Sequence, residues 1–234
     1  MVKSQAISAS IKKIPLNQLI FSNEFYHKHF ADITTEESYY KTLERLCSAG
    51  DLRKLAKGTY YRPKIGRYGT VPPSDQEIIK PFIEDDKGTV VGYKLYNTLN
   101  LTTQISKKIE ILSSKLDQQT KTIRNVYIQH YDIDYTEENK NIIHMLDVLK
   151  NFDSIEDINY VSFISYSEKF SRLYRDESAN YILGNIHHQK RTISFLREIL
   201  TFYHVPNTLS NYLSSLSEYN HPTMEALYEA AYKS

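Results

Sequence analysis

Residues 34–63 constrain the fold of this chain more than any other stretch, because they predict a helix, a tight turn and a basic hairpin in succession. Thr34 or Thr35 has the side chain of a helix N-cap, and Glu37 follows Thr34 at the capping-box spacing. Gly50 predicts the end of the helix, since glycine enters the left-handed conformation at low cost. Between these limits apolar side chains recur at helical spacing, at Tyr39, Leu43, Leu46 and Cys47.

The opposite face of this helix is polar and indicates contact with a nucleic acid. Its side chains are short hydrogen-bonding groups and cations, which are the types that reach phosphates and base edges in a major groove. They are Ser38, Lys41, Arg45 and Ser48, with Thr42 to one side. Because amphipathic helices are common, the prediction also depends on the residues after Gly50.

Two short strands with a Lys-Gly turn between them come after the helix, over residues 52–55 and 59–63. Residues 51–67 contain six cations and a single acid, Asp51. The cations are Arg53, Lys54, Lys57, Arg62, Lys64 and Arg67. A basic ribbon beside a helix is the geometry in which the wing of a winged helix-turn-helix covers the phosphate backbone. We therefore predict DNA binding through Ser38, Lys41, Thr42, Arg45, Arg53, Lys54, Lys57 and Arg62.

The charge distribution favours the same segment. Residues 1–67 contain 12 lysines and arginines and 6 acids, a net charge of +6, whereas residues 68–234 contain 17 and 22, a net charge of −5. The basic excess therefore coincides with the predicted DNA contact. An acidic remainder predicts no second large nucleic-acid surface.

Composition excludes several other classes of protein. Hydrophobic content of 41% and charged content of 24% are those of a globular protein. No apolar run is long enough to span a membrane and the N-terminus lacks an apolar signal core, so we expect a cytoplasmic protein. The single cysteine, Cys47, excludes an internal disulfide and lies on the predicted apolar stripe.

The pattern predicts an α+β fold in three parts. Residues 1–67 form the winged helix-turn-helix, with a first helix over residues 8–20 and a second from residue 21. Residues 68–135 form a small α/β middle segment, and residues 136–234 form a helical C-terminal region. Residues 68–234 also fit a single domain. Residues 64–73 have the glycine and proline content of a linker, and residues 108–114 and 122–133 have the pattern of strands. Within the helical region, residues 161–164 also have the composition of a strand. Ser74, with Glu77 at the capping-box spacing, and Thr136 predict the starts of two further helices.

Two runs of the chain, GTYYRPKIGRYGTVPPSDQEI and GYKLYNTLNLTTQI, resemble the AbiEi-like antitoxin and transcriptional-regulator family of bacterial type IV toxin–antitoxin and abortive-infection systems. The resemblance covers residues 8–133. In the first run it rests on Gly58, Tyr60, Pro63, Tyr68, Gly69, Pro72, Pro73 and Ser74. In the second run it rests on Gly92, Tyr93, Asn97, Leu99, Leu101, Thr102, Thr103 and Gln104.

The resemblance implies a repressor that binds inverted repeats at its own promoter as double-stranded DNA. It also implies an antitoxin that counteracts a nucleotidyltransferase toxin encoded beside it, with roles in transcription regulation and antiviral defence. Asn97, Asn100 and Gln104 are expected to have structural roles in this run, as helix caps or as partners of the backbone.

Two alternatives remain open at this point. Asp132 and Asp134 form an Asp-x-Asp pair that could hold Mg²⁺ in a nucleotidyltransferase or nuclease, although no glycine-serine turn precedes them. The winged helix could instead bind a protein, as an adaptor. No phosphate-binding loop, dinucleotide fingerprint, nucleophile elbow or zinc-protease motif is present, so we expect no enzyme activity, no cofactor and no metal.

Overall fold

The computed structural model of this protein describes residues 2–233, with side chains from Ser4 onward. The fold is mixed α+β, with helices and small sheets in the N-terminal half and a mainly helical C-terminal half, as predicted. The chain forms two compact units. The first comprises residues up to Pro81 together with Thr122–Val126, and the second comprises Phe82–Lys121 and the chain from Tyr127. Whether residues 1–67, 68–135 and 136–234 fold independently stays a prediction.

The first unit begins with three helices and three strands in the connectivity of a winged helix-turn-helix. The helices are α1 (Val2–Lys12), α2 (Ser22–His29) and α3 (Glu36–Ala49), and the strands are β1 (Leu19–Phe21), β2 (Arg53–Ala56) and β3 (Thr59–Tyr61). The strands form an antiparallel sheet in the order β1-β3-β2. The β2–β3 hairpin with its Lys57-Gly58 turn is called the wing below.

Local signals account for the limits of α3. The Thr35 hydroxyl accepts a hydrogen bond from the backbone amide of Ser38 at 3.4 Å, and Gly50 ends the helix with φ of +82°. Tyr39 and Leu43 are essentially inaccessible and Leu46 is buried, which confirms the predicted apolar stripe. Their partners come mainly from α1, α2 and the sheet, and include Ile7, Ile11, Ile20, Tyr26, Phe30, Leu52 and Tyr60.

Two predictions about this unit were wrong. The first helix, predicted over residues 8–20, was wrong in extent: α1 ends at Lys12, Leu19–Phe21 pairs with β3 as strand β1, and the second helix begins at Ser22. Residues 64–71 form an antiparallel hairpin rather than a linker, with strands β4 (Lys64–Gly66) and β5 (Gly69–Val71) joined by Arg67-Tyr68. After it, helix α4 (Asp75–Ile83) has the predicted capping box, in which Glu77 accepts the Ser74 amide at 2.7 Å.

A four-stranded sheet and one short helix come next, and they belong to the second unit except for Thr122–Val126, which the first unit includes. The strands β6 (Gly88–Val91), β7 (Ile109–Ser113), β8 (Thr120–Ile123) and β9 (Val126–His130) lie in the order β6-β7-β9-β8, and α5 (Tyr93–Thr98) follows β6. Strand β7 confirms the prediction for residues 108–114. The predicted strand over residues 122–133 was wrong in extent, because Arg124 adopts φ of +55° and the chain turns between β8 and β9.

Five helices complete the second unit: α6 (Glu137–Asn151), α7 (Tyr160–Leu173), α8 (Asp176–Asn185), α9 (Lys190–Phe202) and α10 (Met224–Lys233). Short 3₁₀ turns lie at Glu84–Asp86, Phe152–Ser154 and Leu209–Tyr212. Thr136 caps α6 as predicted, and residues 161–164 lie in α7 rather than in a strand. Among the described residues, no helix is long and apolar enough to cross a membrane.

Candidate nucleic-acid interface

Helix α3 presents three of its four predicted DNA-contacting side chains to solvent. Ser38, Lys41 and Arg45 are exposed. Lys41 Nζ forms an exposed ion pair with Glu37 Oε1 at 2.6 Å, one helical turn away. An exposed pair of this kind is weak, so a phosphate could displace the glutamate at little cost.

Thr42 lies on the inner side of α3. It is 3% exposed, and its hydroxyl donates to the Ser38 backbone carbonyl at 2.9 Å. A threonine in this arrangement satisfies its own hydroxyl on the helix backbone. Its position leaves it no access to a base edge.

The net charge of α3 is negative. Glu36, Glu37 and Glu44 are exposed on the same helix as Lys41 and Arg45, so acids outnumber cations. An acidic helix adds no attraction for a polyanion over distances of several ångströms. Any strong electrostatic attraction must therefore come from elsewhere in the unit.

The wing and the segment after it supply that attraction. Arg53, Lys54 and Lys57 are all exposed on the β2–β3 hairpin. From residue 52 to residue 74 the chain carries six cations and no acid. At spacings below a Debye length these charges act together on a phosphate backbone.

Arg62 has a different role from the other cations of this segment. Its guanidinium donates to the backbone carbonyls of Lys12, at 2.7 Å, and Ile14. The Arg62 carbonyl in turn accepts the amide of Asn17 at 2.8 Å. Arg62 thus ties the end of β3 to the residues that follow α1, where orphan carbonyls require donors.

The 64–71 hairpin extends the basic segment beyond the predicted site. Lys64 and Arg67 are exposed, and the Arg67 guanidinium carbon lies 5.7 Å from the centre of the Tyr68 ring. Sequence reasoning missed this hairpin because its strands are only three residues long, and the glycines within them and the two prolines after them resemble a linker. The signal present was the pair of Gly66 and Gly69 around a two-residue turn.

Cys47 lies beneath the interface and is not a reactive thiol. It is half-buried, and burial raises its pKa despite the opposing charges of Lys54 and Arg53. A raised pKa leaves less thiolate at neutral pH. The residue acts as a small apolar group against the core of the unit.

The Asp-x-Asp pair does not lie on a strand. Asp132 and Asp134 are exposed in the irregular segment after β9, and the backbone amide of Asp134 donates to the Tyr181 hydroxyl at 3.0 Å. In the part of the chain that the structure describes, no group of three or more His, Cys, Asp and Glu could hold a metal ion.

The run GYKLYNTLNLTTQI forms structural contacts within the second unit. The Asn97 side chain donates to the carbonyls of Thr102 and Gln104, both at 2.8 Å, and Gln104 Nε2 donates to Glu156 Oε2 at 2.7 Å. Asn100 adopts φ of +56° just after α5. These residues therefore hold the turn after α5, as expected.

Asp147 of α6 is the centre of a half-buried polar network in the same unit. Its Oδ2 accepts the Gly92 amide at 2.8 Å and the Tyr96 hydroxyl at 2.9 Å, and Asn151 donates to its carbonyl oxygen at 2.9 Å. Burial raises the pKa of the Asp147 carboxyl, although the hydrogen bonds oppose this shift. Gly92 has φ of +69°. The network joins the β6–α5 connection to α6.

Comparison with known families identifies one relationship. A search of curated proteins gave no match. Residues 6–150, from α1 to the end of α6, match a family described as a family of unknown function (DUF6088). The match covers the winged helix, the 64–71 hairpin and the sheet, and it ends before α7. Because it spans more than half of the chain, this protein belongs to the DUF6088 family.

Proposed function

We propose that this protein is a DNA-binding transcriptional autorepressor that also acts as the antitoxin of a type IV toxin–antitoxin system. The observation that carries the first part is the joining of a winged helix-turn-helix to 23 residues, 52–74, with six cations and no acid. Winged helices place a helix and a basic ribbon against a duplex. The exposed positions for this contact are Ser38, Lys41, Arg45, Arg53, Lys54 and Lys57.

The distribution of charge indicates how such a complex is held. The wing cations take the phosphates and supply most of the affinity, while Ser38, Lys41 and Arg45 of α3 reach base edges. The glutamates of α3 then lower the sequence-independent part of the affinity, because their carboxylates repel phosphates. Binding to incorrect sequences, which lacks the base contacts of α3, is therefore weak. Thr42 and Arg62 stabilise the unit rather than touching DNA.

The antitoxin part of the proposal rests on the AbiEi-like residues of the two runs. These residues lie in the segment from α1 to β9 that the family match also covers. In this proposal the chain works in the cytoplasm without catalysis, cofactor or metal, represses its own promoter at inverted repeats, and counteracts a nucleotidyltransferase encoded beside it.

A promoter-binding assay tests the repressor role. Purified protein is titrated into labelled duplex from upstream of its own gene, at several salt concentrations, and the affinity is read by fluorescence anisotropy. We expect specific binding that weakens steeply with salt, since cations on the wing displace counterions from phosphates. Binding to the promoter no tighter than to an unrelated duplex would show that the chain is not an autorepressor.

A growth assay tests the antitoxin role separately. The neighbouring gene is expressed from an inducible promoter with and without this protein, and growth is followed. We expect arrest without it and recovery with it. A wing variant, Arg53→Ala with Lys54→Ala and Lys57→Ala, should lose repression and keep neutralisation if the two roles lie in different surfaces. No arrest, or arrest that this protein does not relieve, contradicts the antitoxin role.

A protein-binding adaptor is the second candidate, and the acidic surface of α3 favours it. Glu36, Glu37 and Glu44 would suit a basic partner protein better than a duplex. The same anisotropy titration separates the candidates. An adaptor shows no salt-dependent affinity for any duplex, whereas the repressor does.

A further inference from the structure

The 64–71 hairpin exposes three large apolar side chains to solvent, although it belongs to a folded unit. Tyr68 at its tip is 94% exposed, Ile65 is 71% exposed and Val71 is 43% exposed. An isolated two-stranded hairpin is marginally stable in water, and exposed apolar side chains on it contribute little to folding. The hairpin therefore presents these side chains outward without a core to bury them.

Both ends of this hairpin are anchored in the first unit. On the entering side, the Lys64 amide donates to the side chain of Asn17, which is 5% exposed, at 3.3 Å. On the leaving side, the Arg124 guanidinium donates to the Pro73 carbonyl at 2.8 Å. The Pro72-Pro73 pair also restricts the backbone after β5. The hairpin is thus held at its base and projects from the unit as a fixed arm.

The chemistry of the arm fits a polyanion with flat apolar groups. Arg67 lies against the Tyr68 ring at the tip of the hairpin, Lys64 lies at its base opposite Val71, and Asp51 and Asp75 are the nearest acids in sequence on either side. Phosphates pair with the two cations, and an aromatic ring at the tip packs on sugars and on apolar base edges that a groove exposes. A two-stranded ribbon also has the width that a DNA groove admits.

We propose that the 64–71 hairpin is a second DNA-contacting arm, which binds the duplex beside the wing through Lys64, Arg67 and Tyr68. This inference rests on the proposed DNA-binding function and adds a contact to it. Lys64 and Arg67 hold phosphates, and Tyr68 at the tip packs against the sugars and base edges of the groove. The arm lengthens the bound stretch of DNA beyond what α3 and the wing cover.

Three variants of the full-length chain test the arm with a labelled mixed-sequence DNA duplex. Lys64→Ala with Arg67→Ala should lower the slope of log affinity against log salt by about 2, since each phosphate contact contributes about 0.9. Tyr68→Ala should weaken binding severalfold with the slope unchanged, because an apolar contact releases no counterions, whereas Tyr68→Phe should bind as the wild type does. The hydroxyl-radical footprint on the promoter duplex should be shorter for the variant Lys64→Ala with Arg67→Ala than for the wild type.

Matched controls lie on the second unit. Lys169→Ala with Arg197→Ala removes the same charge from exposed helix positions, and Tyr232→Ala removes a similarly exposed tyrosine. Both should bind DNA as the wild type does. Thermal unfolding confirms that the arm variants fold, because none of the three side chains is buried.

The outcomes separate this inference from the function on which it rests. If the wild-type protein binds the duplex and all arm variants keep its affinity, salt slope and footprint, the arm is overturned and the repressor proposal is left intact. A hairpin that contacts a protein partner instead of DNA would give this result. A wild-type protein that does not bind any duplex overturns both.

Discussion

The two units of this protein place their ionisable groups in opposite ways. The first unit buries aromatic and aliphatic side chains and keeps its cations at the surface, where residues 52–74 carry six cations and no acid. The second unit holds half-buried ionisable groups among apolar ones, including Asp147, His144 and His188, and this partial burial disfavours their charged forms. The first unit therefore concentrates positive charge at its surface, and the second includes groups whose charge its interior opposes.

Different solution conditions should therefore act on the two units. Salt screens exposed charges, so it should change what the first unit binds without changing its fold. Protons change the charge of buried groups, so pH should change the stability of the second unit. Acid, salt and single-site variants that act on one unit can therefore break or support this contrast.

The largest effect is expected from acid on the second unit. Burial lowers the pKa of both His144 and His188 to about 4, below the ordinary value of 6.5. Each histidine binds a proton more readily in the unfolded chain, so stability is complete above pH 6.5 and falls as the pH drops towards 4. The loss is up to about 3 kcal/mol for each, measured as the free energy of unfolding in urea.

The variant His188→Phe checks the source of this loss. Neither ring nitrogen of His188 has a hydrogen-bond partner among the described residues, whereas His144 Nε2 lies 2.6 Å from the Thr89 hydroxyl oxygen. Phenylalanine should therefore keep stability at neutral pH and reduce the loss in acid. An unchanged dependence on pH would show that His188 is not buried as described.

A smaller loss is expected from removing the Asp147 carboxylate. Asp147→Ala leaves the Gly92 amide without its acceptor and should lower the free energy of unfolding by about 2 kcal/mol. Asp147→Asn keeps an acceptor and removes the charge, so it should cost less than the alanine. Because the pKa of Asp147 is raised, its ionisation lowers stability as pH rises. The Asp147→Asn variant lacks this loss, so its free energy of unfolding should rise more steeply than that of the wild type between about pH 4 and pH 6.5. Equal losses in both variants would contradict this assignment.

The wing variant should change binding without changing stability. Arg53→Ala with Lys54→Ala and Lys57→Ala should weaken duplex binding by at least tenfold, about 1.4 kcal/mol, and lower the salt slope by roughly 3. Thermal unfolding should stay close to wild type, since all three side chains are exposed. A slope that is unchanged would place the phosphate contacts elsewhere.

The smallest change in overall affinity is expected on α3. Lys41→Ala with Arg45→Ala should lower affinity for a mixed-sequence duplex only a few-fold, because three glutamates offset these cations. Discrimination between promoter and unrelated DNA should fall more than affinity does. If promoter binding stays unchanged, α3 is not the recognition helix.

Sequence patterns were reliable where a local signal decides the structure. The Thr35 cap, the apolar stripe of α3 and the left-handed Gly50 were all visible before the fold was known, and so were the Ser74 capping box and the Thr136 cap. Each involves residues within a few helical turns of each other at most. Their geometry is therefore nearly independent of the rest of the chain.

The errors fall where distant partners decide. Leu19, Ile20 and Phe21 have apolar side chains that suit a helix or a strand, and only pairing with β3 selects the strand. The extent of β8 and β9 depended on the left-handed turn at Arg124, which no local pattern marks. Residues 161–164 became part of α7 because Phe163 packs into the helical core of the second unit.

Neighbouring residues and charge were enough to predict the limits of α3, the starts of α4 and α6, the concentration of cations before residue 68 and the winged-helix order. The tertiary structure alone set which polar groups face solvent. It turned Thr42 inward, bound Arg62 to the backbone after α1, and made an anchored hairpin of residues 64–71. Burial and hydrogen-bond partners depend on residues that can lie 50 or more positions away in the chain, as Lys12 does from Arg62 and Gly92 from Asp147.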